Sequence, residues 1–103
     1  MKKYNKLVSD RIPEIIRTSG ETPVTHVIED DDEYLQALFD KDTEESAELR
    51  NNPSLEELAD KLEVLNAIGK VLGYRPQEIE LARAKKAEER GGFDARRYLE
   101  ATD

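Results

Sequence analysis

The chain has 103 residues, a formal charge of −8 and no cysteine, which makes it one acidic domain without a disulfide framework, a thiolate zinc site or a thiol nucleophile. With 39% charged and 37% hydrophobic residues, it contains no apolar run long enough to span a membrane. Its charge also argues against a general nucleic-acid surface, which needs a cationic footprint.

The front of the chain, MKKYNKLVSDRIPE, opens on two lysines but has no apolar signal core, so the expected location is the cytoplasm. A first helix falls within residues 1–20, with Asp10 as N-cap and Pro13 in the first turn. Ile12, Ile15 and Ile16 form its apolar stripe, and Ser19-Gly20 stops it. Residues 22–28 are β-branched with rough alternation and are expected to be a short extended segment, either a loop or one arm of a small ribbon. His26, the single histidine, reads as an exposed or packed residue.

The run Glu29 to Glu33 lacks the alternating ligands and turn glycine of a calcium loop, and acids ahead of a helix are expected from capping and the helix dipole. The second helix spans about Asp32 to Arg50, with Tyr34, Leu35, Leu38, Phe39 and Leu49 on its apolar face. Asp42, Glu45, Ser46 and Glu48 interrupt that face, so this half is either exposed or lines a polar site.

Pro53 and Ser54 open a third helix that runs to about Leu72. Leu55, Leu58, Ala59, Leu62, Leu65, Gly69 and Leu72 form one seam; Val64, Ala67, Ile68 and Val71 form another. Two apolar seams on one helix imply burial on two sides, and a chain this short has few helices to cover both. A homodimer or higher homo-oligomer, with the third helix near its axis, is therefore expected. Gly73 ends this helix, and Pro76 begins a fourth with Ile79, Leu81 and Ala82 or Ala84 inward. The fourth helix turns basic from Arg83 and ends at Gly91-Gly92; Phe93 and Tyr98-Leu99 are expected to pack back as a tail. The whole reads as all-α: a single-domain, small antiparallel helical bundle over residues 1–103.

Four carboxylates flank the break at Asn51-Asn52-Pro53. Glu45 and Glu48 share one face of the second helix, and Glu57 and Asp60 share one face of the third. If the helices fold back, a rise of about 1.5 Å per residue sets Glu48 level with Glu57 and Glu45 level with Asp60. Such a group repels itself unless a hard divalent cation such as Mg²⁺ sits among the oxygens. Glu57 has a competing role, because Ser54-x-x-Glu57 also matches a capping box. Four cations stand at the ends of the chain: Lys6 and Arg11 before the acids, Lys86 and Arg90 after them. Carboxylates, Mg²⁺ and cations together are what phosphoryl transfer to water requires. Lys86 and Arg90 also suit a helix C-terminus with no ligand at all.

KLVSDRIPEII, then EExxE followed by ELAD, then KAEERGGF occur in that order and cover nearly the whole chain. Together they resemble the MazG-type all-α nucleotide pyrophosphohydrolases, in particular the compact group similar to phosphoribosyl-ATP pyrophosphohydrolase. The resemblance implies a MazG-like bundle that cleaves a nucleoside triphosphate between the α and β phosphorus, with Mg²⁺ as cofactor and Mn²⁺ as a substitute. Carried over by position, Glu45, Glu48, Glu57 and Asp60 would be metal ligands. Glu44 would be the general base for the attacking water, and Lys6, Arg11, Lys86 and Arg90 would contact phosphate. Three departures stand out. Ser9 replaces the usual Arg; Asp42 and Thr43 replace apolar residues; and Lys61 follows Asp60 where an apolar residue is usual.

The leading expectation is a house-cleaning hydrolase of non-standard nucleotides, with no nucleic-acid or membrane partner. The competing one is a non-catalytic acidic helical dimer that senses nucleotides or binds a partner. Tyr34, Phe39, Asn66 and Phe93 are candidates for base contact, with nothing to choose between them.

Overall fold

Side-chain chemistry sets the start of three of the four helices of the protein. The computed structural model describes all residues, Met1–Asp103, and contains four helices and no strand. Helix α1 spans Ile12–Thr18. Its cap position is Arg11 rather than Asp10, and no side chain caps it; Pro13 in the first turn makes one missing donor harmless. Helix α2, Asp31–Asn51, is capped by Asp30, whose carboxylate accepts from the Glu33 N–H at 2.9 Å. The acidic run ahead of α2 is thus a cap and a first-turn charge cluster facing the helix dipole.

Helix α3, Leu55–Val71, is capped by the Ser54 hydroxyl, which accepts from the Glu57 N–H at 3.3 Å. Helix α4, Pro76–Arg90, starts on Pro76, and the Glu78 carboxylate accepts from the Arg75 N–H at 3.2 Å and from Arg75 Nε at 3.0 Å. Between α3 and α4 the chain reverses through Gly73, whose φ of +92° is costly for any residue with a Cβ.

The expected extended segment forms no strand; residues 22–28 are a loop, with Pro23 and Ile28 half-buried. Without a second strand, its backbone groups have no ladder to join. The α1 stripe also divides: Ile12 and Ile16, one turn apart, are half-buried, whereas Ile15 faces water.

Packing centres on the α2–α3 hairpin. Leu38 from α2 meets Val64 and Ile68 from α3, and Leu7, Tyr34, Leu35, Ala67 and Val71 close around them. Of the two α3 seams, only the Val64–Ala67–Ile68–Val71 seam faces this core. Leu55, Leu58, Leu62, Leu65 and Leu72 of the other seam remain exposed.

Helix α4 touches only α3. The close approach is at Gly69, where an added Cβ would lie 2.5 Å from Ile79 Cδ1. Beyond Ile79 the inward positions are not filled: Leu81 is 71% exposed. The tail does not pack back either, with Phe93 95% exposed and Tyr98 and Leu99 similarly open. The chain is accordingly elongated, with a radius of gyration of 17.7 Å, where a domain of this length is expected near about 13 Å. No helix is long and apolar enough to cross a membrane.

Candidate metal centre

The interrupted face of α2 turns toward the first two turns of α3. Oxygens of Glu45, Glu57 and Asp60 lie within 4.8 Å of one another. Glu45 is only 5% exposed, unusual for a carboxylate without a full set of donors. Its Oε2 and the Oε2 of Glu57 are both buried without a hydrogen-bond partner. Burial pushes the Glu45 carboxyl above its ordinary range; Lys41 opposes the shift, and the charges of Glu48 and Asp60 add to it. Glu57 is raised for the same reason, first by loss of water and then by Glu48 and Asp60.

The two roles of Glu57 separate here. Its backbone N–H is capped by Ser54, but the hydrogen bonds include none from the Ser54 N–H back to the Glu57 carboxylate. That carboxylate faces the other acids instead. Glu48, half-buried, stands beside Glu57 and outside the clustered trio. The site therefore offers an all-oxygen donor set with two orphaned buried oxygens and more negative charge than Lys41 neutralises. Those are the properties a hard divalent cation requires.

Glu44 is held differently. Its Oε1 accepts from Lys6 Nζ at 2.7 Å and its Oε2 from Lys41 Nζ at 3.2 Å. Burial acts to raise the Glu44 carboxyl, but these two ammonium groups outweigh it and hold it below its usual range. Lys6 is correspondingly raised by its bond to Glu44. The Lys6–Glu44 pair ties the N-terminal segment to α2.

Between that segment and the carboxylates lies a cavity of about 320 Å³. Lys6, Val8, Ser9 and Ile12 form one wall; Lys41, Glu45, Asp60, Glu63 and Val64 form the other. Ser9, where the resemblance would place an Arg, thus leaves cavity space rather than a cation. None of Tyr34, Phe39, Asn66 or Phe93 lines it. An open depression of similar size at the α3–α4 junction, against Tyr74, Ile79 and Ala82, carries no comparable cluster.

The phosphate-contact candidates divide. Lys6 is on the cavity wall. Arg11 is exposed at the start of α1, next to cavity-lining Ile12 but not itself on the wall. Lys86 and Arg90 are exposed on α4, which packs at the far end of α3 and does not touch α2, so one chain does not bring them to the carboxylates.

Two features escaped sequence reasoning. Lys41 contacts both glutamates of the pair, with Nζ 3.3 Å from Glu45 Oε1, and its i, i+3 and i, i+4 spacing was the available signal. The second joins two of the departures: Lys61 Nζ donates to Asp42 Oδ1 and to Ser46 Oγ, each at 2.8 Å. Asp42 and Lys61 thus compensate one another across α2 and α3. Thr43 sits on the exposed side and bonds the Phe39 carbonyl one turn back at 3.2 Å.

No protein-family model matches the chain, and no solved structure matches it. A stretch of 45 residues, 44% of the chain, is 60% identical to a protein of Mycolicibacterium smegmatis (strain ATCC 700084 / mc(2)155) described only as uncharacterized. The match spans 45% of that protein's length.

Proposed function

We propose that the protein is a Mg²⁺-dependent nucleoside triphosphate pyrophosphohydrolase of the cytoplasm, acting on non-standard nucleotides. The observation that carries this reading is the trio of buried Glu45, half-buried Glu57 and exposed Asp60, with unpartnered oxygens on Glu45 and Glu57, beside a cavity that Lys6 also lines. The resemblance of three ordered motifs supplies the substrate class.

Glu45, Glu57 and Asp60 would hold the ion, with Glu48 joining from beside Glu57. When bound, the ion supplies charge neutralisation at the phosphates and helps orient water. Lys6 binds the phosphates by turning from Glu44, which frees Glu44 Oε1 to accept a proton from water. The water oxygen bonds to the α-phosphorus, the bridging P–O bond breaks, and pyrophosphate leaves with the electron pair.

A second copy of the chain belongs to the same reading. The protein exposes 9695 Å² of surface, whereas a compact monomer of 11.8 kDa exposes about 5,900 Å². The difference, about 3,800 Å² per chain or about 7,600 Å² for a pair, exceeds what a large obligate interface removes, so it leaves room for one beside the open tail. The exposed leucine seam of α3 is the apolar core such an interface needs. Dimerisation would also offer α4 of one copy, with Lys86 and Arg90, a route to the carboxylates of the other.

The test is a nucleotide panel with Mg²⁺ or Mn²⁺, reading pyrophosphate and monophosphate together. Equal release of both is expected, and Glu48→Gln or Asp60→Asn should abolish it while the fold survives. Full turnover in either variant overturns the site assignment. No turnover with any nucleotide leaves the non-catalytic sensing module instead.

A further inference from the structure

We propose that Lys41 is a positioning residue of the metal centre, which holds Glu45 so that its free oxygen faces the ion. The proposal rests on the metal reading above. Lys41 is among the less exposed cations of the chain, its side chain 16% exposed, and its ammonium bridges Glu44 Oε2 at 3.2 Å and Glu45 Oε1 at 3.3 Å.

An exposed lysine one turn from a glutamate is ordinary helix decoration and contributes little. Here the partner is almost wholly buried, and the two oxygens of Glu45 have different fates. Oε1 faces Lys41, and Oε2 has no partner. A carboxylate held by one oxygen through a donor, with the other presented to a cation, is the usual arrangement around a metal ligand. Lys41 also lines the cavity with Glu45 and Asp60, opposite Lys6, so it borders the space an ion and its anionic ligand would share.

A simple counter-ion and a positioning residue predict opposite signs. Removing a mere counter-ion 3.3 Å from Glu45 leaves the site more negative, so a cation binds more tightly. Removing a positioning group frees the Glu45 side chain, and binding weakens by about 10–100-fold.

The experiment is calorimetric titration of the full chain with MnCl₂. Lys41→Met is expected to weaken Mn²⁺ binding by that factor, Lys41→Arg to restore most of it, and Lys85→Met, on exposed α4, to leave it unchanged. Should Lys41→Met not fold, Lys41→Leu, which likewise carries no donor, takes its place with the same expected loss. Equal or tighter binding by Lys41→Met overturns the role of Lys41 and spares the metal reading. Absence of Mn²⁺ binding by the native chain overturns both.

Discussion

Glu45→Gln separates a carboxylate kept for a metal from one kept for the fold. Glu45 Oε2 is buried without a donor, which costs about 1–3 kcal/mol. Oxygens of Glu57 and Asp60 within 4.8 Å add repulsion, which Lys41 at 3.3 Å offsets only in part. Gln has nearly the same shape, and Lys41 keeps Glu44 as partner. In EDTA, Glu45→Gln should therefore be more stable than the native chain by about 1–2 kcal/mol, or about 4–8 °C in Tm per kcal/mol for a domain of this size. Mg²⁺ should act oppositely. At 100 times its Kd it stabilises the native chain by about 2.7 kcal/mol, and Glu45→Gln should lose most of that gain. The assay is thermal unfolding followed by circular dichroism at one protein concentration, with and without Mg²⁺. A variant less stable in EDTA, or one that keeps the full Mg²⁺ gain, would refute the reasoning by making Glu45 a structural acceptor.

Acidity should act on the metal-free protein in the same sense. Glu45 and Glu57 have folded-state values raised above the usual 4.5, so their destabilising effect is absent below that value and sets in as pH rises through the raised ones. Glu44 and Glu80 are lowered, so their contribution is present above 4.5 and lost as pH falls through their folded values. Urea midpoints in EDTA should peak in mildly acidic solution, and Mg²⁺ should move the peak toward neutrality; a peak unmoved by Mg²⁺ would count against the cluster. Leu58→Asp with Leu62→Asp should convert a dimer into a monomer by light scattering, since each buried leucine otherwise contributes about 1.5–3 kcal/mol. An unchanged mass would place any interface elsewhere. Lys61→Leu should cost only about 0–1 kcal/mol, because the Asp42–Lys61 pair is a third exposed. A loss above about 2 kcal/mol in chemical denaturation would show a tighter dependence on that bridge. Gly69→Leu should detach α4 by filling the space Ile79 occupies, read as faster proteolysis between residues 72 and 90.

Local chemistry made the helices legible. Asp30, Ser54, Pro76, the Asn52-Pro53 break after α2 and the glycines after α3 and α4 act within one turn of chain, so the α2, α3 and α4 boundaries follow from residue types within a position or two. Acidic spacing likewise foretold that Glu45 and Asp60 would meet, because two helices joined by three residues have little choice but to lie antiparallel. Tertiary structure decided the rest. Whether the Glu57 carboxylate turns back to cap α3 or toward Glu45 and Asp60 is a side-chain choice that the backbone pattern leaves open. Lys41 and the Asp42–Lys61–Ser46 bridge are side-chain choices made only when α2 and α3 face each other. The hydrophobic pattern named two seams on α3 but not which would find a partner within the chain. Val64 and Ile68 found Leu38, while the leucine seam, α4 and the tail were left facing water. Amphipathic pattern states that a face must be buried; only the fold determines against what.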